Sequence, residues 1–464
     1  MMRWRSIALL LACALPVHAV ELVPAYETLQ LDNGATVLLL RRADVPLVAA
    51  DVIVRGGALA DADGREGSAA LFAEMLNKGA GERDARAFSE AIEGVGGQLG
   101  FSADRDALRA SASFMAKDAE LMLDLIADAL LRPKLDAAEF EKLRSRAIDS
   151  LAAAKDGDVR TLIDSYADAW LFRGHPYGRA ISGDERSLAA ITLDDLKAFD
   201  AQQVGADRLI LALVGDFDVP RMRQLVKARF STWRRAAGSE PRVVAKPPET
   251  QPRVLLVDKP GSAQTYFWIG NVGVDESDAQ RAAHDLVTTV FGGRFTSMLN
   301  TELRIKSGLS YSASAALDRQ ARPGSAAFTS YTRRDATAEA IALAYATLAR
   351  LHAEGIDAAT LKSAQQYVRG QFAPNFETAE QLASALAQLT LNGQQRDRYN
   401  GYADRAAAVT AAELAAARSV FAVGGRSLLV VIGDAASIRK AVAKYGPLTE
   451  MKITDPGFSP APAH

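Results

Sequence analysis

One cysteine, Cys13, is all that this chain of 464 residues contains. It lies in an N-terminal stretch that reads as a removable export signal. Met1-Met2-Arg3-Trp4-Arg5 is short and basic, Ile7 to Pro16 is apolar but too short for a membrane helix, and Val17-His18-Ala19 offers a cleavage site. With residues 1–19 removed the mature chain has no thiol, so disulfides and cysteine catalysis are excluded and an oxidising compartment does no harm. Export to the periplasm is the expectation. Leu10-Leu11-Ala12-Cys13 has the look of a lipoprotein box, but the apolar stretch runs on past Cys13, so lipid anchoring is the weaker reading. A surplus of charge is missing as well: Lys and Arg number 54 against 56 Asp and Glu. Nothing is available to neutralise a phosphate backbone, which argues against nucleic acid as a partner. No apolar run reaches the roughly 18 residues of a membrane span. Histidine is scarce: His175, His284, His352 and His464 remain after the signal, and none stands three or four residues from another. A local histidine metal site is therefore unsupported, and each reads as a structural or surface residue.

What is present is ordinary globular material, 49% hydrophobic and 24% charged, long enough for two to four domains. The clearest boundary is residues 236–252, proline-rich and without an apolar period, which reads as a linker. Residues 455–464 read as a flexible tail. The two halves, 20–235 and 253–454, look like divergent copies. The first opens with strand-like Thr36–Leu40 and Leu47–Val54, the second with Val254–Val257 and Thr265–Val272. Near its end the first has Leu209 to Val214 closing in Gly215-Asp216, then a helical Val219–Phe230. The second has Leu428 to Ile432 closing in Gly433-Asp434, then a helical Ala436–Tyr445. Between lie stretches with apolar spacing near 3.6: Ala119–Leu131, Ala137–Ala154, Val159–Phe172 and Thr337–His352. Thr192 reads as the N-cap of a helix starting at Leu193. Strands and helices mix within each half, which predicts an α/β (α+β) fold made of two like domains.

Several strings, in order, resemble the pitrilysin/insulinase family of zinc peptidases, in its short-subunit branch with the mitochondrial processing peptidase. They are Asp32-Asn33-Gly34, Arg55-Gly56-Gly57-Ala58, Gly67 to Gly79, Gly94 to Gly100, His175-Pro176-Tyr177-Gly178 and Val214-Gly215-Asp216. In the second half, Phe291-Gly292-Gly293-Arg294-Phe295-Thr296-Ser297 leads to Leu303-Arg304-Ile305-Lys306-Ser307-Gly308-Leu309-Ser310-Tyr311-Ser312. The resemblance implies two repeats of the family's domain forming half of a clamshell, the other half supplied by a second such chain. In the family the strand edge beside the Gly96–Gly100 stretch receives substrate backbone; in this chain that edge reads as vestigial, since the adjacent zinc is absent.

The chain departs from the family where the metal should be. Catalytic members carry His-x-x-Glu-His before a string like Met75-Leu76-Asn77-Lys78-Gly79; here the preceding residues are Ala70-Leu71-Phe72-Ala73-Glu74. Ala70 and Glu74 occupy the two histidine positions and Ala73 the glutamate position. Asp149 lies roughly where the family has its third ligand. Catalytic zinc needs three protein ligands and a water, and two carboxylates without imidazole suit it poorly. No metal is expected in this chain.

Arg304 and Tyr311 remain. Phe295–Ile305 reads as a helix, Lys306-Ser307-Gly308 as its terminating turn and Leu309–Ala315 as a strand, so the two side chains flank one turn. A phenol can donate to the oxyanion of peptide hydrolysis, and a guanidinium adds fixed positive charge. On spacing alone, Arg304 as a helix cap and Tyr311 as a strand aromatic explain the residues as well. The resemblance implies that the pair serves a zinc centre held by another chain. The expected protein is a zinc-free subunit of an exported heterodimeric metallopeptidase, not catalytic alone, paired with a homologous subunit bearing His-x-x-Glu-His and zinc, and acting on peptide. Two alternatives are a non-catalytic peptide-binding or scaffold protein and an independent peptidase with an atypical metal site.

Overall fold

The computed structural model describes residues 21–460 apart from 244, 424 and 425; the export signal expected at 1–19 lies outside the described residues. The first half forms a six-stranded sheet from β1 (Glu27–Gln30), β2 (Thr36–Arg41), β3 (Leu47–Arg55), β6 (Gln98–Ala103), β7 (Ala107–Met115) and β8 (Leu209–Gly215), with a two-stranded ladder of β4 (Gly79–Ala80) and β5 (Arg83–Asp84) beside it. The second half builds its sheet from β9 (Val254–Asp258), β10 (Gln264–Val272), β11 (Ala313–Arg319), β12 (Pro323–Arg333), β13 (Leu428–Gly433) and β14 (Leu448–Lys452).

The repeat inferred from the sequence is exact in topology over five strands of each sheet. The order β2-β8-β3-β7-β6 matches β9-β13-β10-β12-β11. In both, the first pair is parallel and the other three are antiparallel. The central strands ending in Gly-Asp, β8 and β13, are buried along their whole length, as a strand covered on both faces must be. The sheets differ at the sixth strand: β1 lies antiparallel on β2, whereas β14 lies parallel on β9.

One face of each sheet is covered by helices of its own half. In the first half these include Ser68–Leu76 and Ala119–Leu131. The second face is covered by the other half. Helix Ala379–Leu391 lays Leu382, Leu386 and Leu389 on Leu38, Ile53, Ile210 and Ala212 of the first sheet. Helix Ile163–Leu171 lays Tyr166 and Trp170 against Leu255, Trp268, Val430 and Ile432 of the second. Each half thus buries apolar surface that it could not cover alone.

The described residues of the segment joining the halves form no helix or strand, but they are pinned at several points: Arg55 pairs with Glu240, Arg208 donates to the Gly238 carbonyl and Arg322 to that of Val243. The segment expected to be loose, 455–464, is anchored over its first six residues. Phe458 is buried edge-on against Tyr166, and Lys155 donates to the Asp455 carbonyl while pairing with Glu185. An aromatic that can reach an apolar pocket is the reason; residues 461–464 lie outside the described residues. Among the described residues no helix is long and apolar enough to cross a membrane.

Candidate active-site face

Helix Ser68–Leu76 is held at both ends. At its start the carboxylate of Asp61, 5% exposed, accepts from the backbone N–H of Gly67 and of Ala69, both at 2.8 Å. Burial pushes the Asp61 carboxyl up to about 7 against the lowering effect of those two bonds. The buried side of the helix, Leu71, Phe72, Met75 and Leu76, enters the first core, where Phe72 meets Phe199 at 5.4 Å. Beyond its C-terminus Asn77 bonds to Phe101 of β6, tying the helix to the free edge of the sheet.

What this braced helix presents is chemically blank. Ala70 is half-buried, Ala73 fully buried and Glu74 exposed. Asp149, on the neighbouring helix Ala137–Asp156, is exposed and accepts from Ser145. Alanine offers no donor atom, and two solvated carboxylates do not make the donor set of a catalytic zinc. Among the described residues no group of three or more His, Cys, Asp or Glu side chains is placed to hold a metal ion. The histidines are occupied elsewhere. His175 accepts from the Tyr177 N–H and packs on Phe172 and Tyr177, His284 bonds to Asp278, and His352 to the Phe421 carbonyl. His464 lies outside the described residues.

Arg304 and Tyr311 are brought together. The chain does not run as one helix from Phe295 to Ile305. Residues 294–297 form a turn, Ser297 caps a short helix Met298–Asn300, and a wider π-helical turn, Thr301–Lys306, carries Arg304. A second π-helical turn, Thr289–Gly293, precedes it; such turns are rare and concentrate at functional sites. Gly292 lets this turn lie directly on β11, since a Cβ there would collide with the Ala315 backbone. The strand expected from Leu309 begins instead at Ala313, so Tyr311 sits in a loop. Gly308 turns that loop at φ +64°. Hydroxyls then latch it. Ser307 donates to the Glu302 carbonyl, Thr332 to that of Leu309, and Ser330 to Ser310 Oγ. Polar side-chain bonds to loop backbone compete with strand pairing, which is why the strand starts late.

The result is a stack. The guanidinium carbon of Arg304 lies 4.4 Å from the ring centre of Tyr311 and 4.9 Å from that of Phe295. Tyr311 is 69% exposed and Phe295 59%. Among the described residues Arg304 makes no ion pair. The nearest acid in the chain, Glu302, is taken by Lys306 at 2.9 Å and Arg350 at 2.8 Å, and the Lys306 ammonium bonded to it holds its carboxyl below the usual range. The face therefore offers an uncompensated cation and a free phenol to whatever approaches from solvent. Sequence reasoning found the cation and the phenol. It missed Phe295, whose role depends on the turn at 294–297, and Asp61, seven residues ahead of the first residue of the helix that it braces.

Comparisons with known proteins bear on the family and the fold. The profile of the insulinase family (peptidase family M16) matches residues 36–185, and that of the peptidase M16 inactive domain matches residues 190–368. An uncharacterized zinc protease of Mycobacterium leprae is 28% identical over 331 residues, 70% of this chain and 73% of that protein. The mitochondrial-processing peptidase subunit beta of Lentinula edodes is 27% identical over 212 residues, 46% of this chain and 45% of that protein. Among solved structures, a peptidase M16 inactive domain from Pseudomonas fluorescens superposes with a TM-score of 0.81 at 23% identity, covering 88% of this chain and 98% of that one. A protease from Helicobacter pylori superposes at 0.80 and 19% identity, covering 89% and 100%.

Proposed function

The chain belongs to the M16 (insulinase) family of peptidases, and on that premise we propose that it is the zinc-free subunit of an exported heterodimeric metallopeptidase. Its two like domains form one half of a clamshell, and a homologous chain bearing His-x-x-Glu-His and zinc supplies the other. The observation that carries the proposal is the contrast between the two faces: a braced helix whose metal positions are Ala70, Ala73 and Glu74, and a half-buried Arg304 set over the exposed ring of Tyr311, with no ion pair to Arg304 among the described residues. A pairing partner is supported by relatives named as subunits, among them the beta subunit of the mitochondrial-processing peptidase and subunit 1 of the bovine cytochrome b-c1 complex. Export is supported by the reading of residues 1–19.

In this role Arg304 and Tyr311 act on the substrate from the side opposite the partner's metal. The Arg304 guanidinium donates to a peptide carbonyl and fixes its direction. The Tyr311 hydroxyl donates to the carbonyl oxygen as negative charge develops on it, a bond that strengthens in the transition state. Water activation belongs to the partner. The test is to co-purify the chain with a homologous subunit bearing His-x-x-Glu-His from the same cells and to compare peptide hydrolysis by the complex carrying Tyr311 or Tyr311→Phe. A fall in kcat with little change in KM supports the proposal. Unchanged turnover removes the catalytic role and leaves a peptide-holding or scaffold function.

A further inference from the structure

Single exposed apolar side chains are ordinary, but exposed ones gathered in one place mark a binding surface. Among the described residues six do, and three of them, Phe295, Ile305 and Tyr311, fall in the one stretch that carries Arg304. Phe295 and Tyr311 are on separate turns, yet both rings face the same guanidinium, at 4.9 and 4.4 Å. A flat cation between two rings loses rotational freedom, so its N–H groups point in fixed directions. Stacking satisfies the guanidinium's faces but not its hydrogen bonds. Among the described residues no carboxylate pairs with it, and Glu302 is already bound by Lys306 and Arg350. What fits is a hydrogen-bond acceptor, such as a peptide carbonyl, flanked by an apolar group that covers the outward surfaces of the rings. Ile305, 53% exposed and next to Arg304 in the chain, extends the apolar surface.

The geometry points to an apolar peptide subsite built on Phe295. Its ring clamps Arg304 against Tyr311, and the exposed ring surfaces receive the apolar side chain adjacent to the carbonyl that Arg304 engages. This deepens the reading above and rests on it for the identity of the ligand as peptide. Phe295 is on this view a positioning and specificity residue, not a catalytic one.

The experiment uses the mature full-length chain alone, so that it does not depend on the partner's chemistry. Labelled ten-residue peptides differing only in a central Phe, Ala or Asp are titrated by fluorescence anisotropy against the wild type, Phe295→Ala and Phe295→Trp. The wild type is expected to prefer the Phe peptide over the Ala peptide by about fivefold or more, the scale of burying part of one ring. Phe295→Ala should erase that preference and Phe295→Trp should keep it. In parallel, the Arg304 Nε–Hε NMR signal should sharpen and average in Phe295→Ala and remain restrained in Phe295→Trp. Because Phe295 is exposed, all variants should melt with the wild type; if the alanine variant does not, Phe295→Leu takes its place. No wild-type preference, no binding at millimolar peptide, a preference for the Asp peptide, or a preference retained in Phe295→Ala would each overturn the subsite. Unchanged turnover in Tyr311→Phe would instead remove the catalytic reading while leaving the binding preference standing.

Discussion

Asn77 and Phe101 exchange two hydrogen bonds. The Phe101 N–H donates to Asn77 Oδ1 at 3.1 Å, and Asn77 Nδ2 donates to the Phe101 carbonyl at 3.2 Å. A side-chain amide thereby does for edge strand β6 what a further strand would do. It also fastens the C-terminal end of helix Ser68–Leu76 to that edge. Edge strand β6, beside helix Ser68–Leu76, is therefore capped at Phe101.

Asn77→Ala leaves the Phe101 backbone groups without those partners, though water can reach them in part. The expected loss is about 1–2 kcal/mol in urea unfolding, with faster hydrogen exchange confined to β6 and the end of the helix. Exchange that speeds up uniformly would mean that Asn77 is not specific to this edge.

Zinc gives a second prediction. The purified mature chain should hold far less than one zinc per molecule by elemental analysis, and a chelator should leave its melting temperature unchanged. Glu74→Ala should alter neither quantity, because Glu74 is exposed and the neighbouring positions, Ala70 and Ala73, lack donor atoms. Stoichiometric zinc lost in Glu74→Ala would contradict this account of the helix.

Much of this was legible in the residues, and what was not has a common cause. Strands such as Leu209–Gly215 and Leu428–Gly433 announce themselves because both faces are buried and the apolar run is continuous. Helix Val219–Phe230 announces itself by its period, and Thr192 by its capping box with Asp195. The blank at Ala70 and Ala73 needed no structure at all. Three features were hidden because contacts distant in sequence decide them. The late start of β11 follows from hydroxyls on β12. The docking of Phe458 depends on Tyr166, far back in the first half. The stacking of Phe295 depends on a loop that periodicity reads as helix.

The buried carboxyl of Asp51, on β3, gives a pH prediction. One of its oxygens has no hydrogen-bond partner, and burial pushes the group up to about 6, against the lowering effects of Arg109 and a bond from Ser384, with Asp104 adding to the rise. The folded state thus favours the protonated form. The stability from this group is fully present below about pH 4 and is lost as pH rises through about 6. Asp51→Asn should remove that slope and raise stability at pH 7–8 by about 1–2 kcal/mol, the shift discounted for partial solvent access. Melting curves of both proteins from pH 4 to 8 should converge at the acid end. Parallel curves across the range would show that Asp51 does not titrate in this window.

Tyr311→Phe should separate chemistry from folding. Among the described residues the hydroxyl has no hydrogen-bond partner, and the ring is largely exposed, so stability should change by less than about 0.5 kcal/mol. Turnover by the proposed heterodimer should fall on the order of 100-fold if the phenol stabilises an oxyanion. Arg304→Lys keeps the charge but loses the flat stack between two rings, and should raise KM as well as lower kcat. A melting temperature that falls in step with activity would assign Tyr311 a structural role.

The reciprocal helices predict how the molecule comes apart. Leu386 is fully buried on the first sheet although it belongs to the second half, and Trp170 is buried on the second sheet although it belongs to the first. Separating the halves would expose both sheet faces at once, together with the helices that cover them. Neither half should then persist without the other, and urea unfolding should be one transition by tryptophan fluorescence and by circular dichroism. Leu386→Ala should cost about 2–5 kcal/mol by removing buried volume, and should lower the midpoint seen by both probes equally, although most tryptophans lie far from position 386 in sequence. Two resolved transitions, with only one moved by Leu386→Ala, would mean that the halves fold independently and that the exchanged helices merely rest on their hosts.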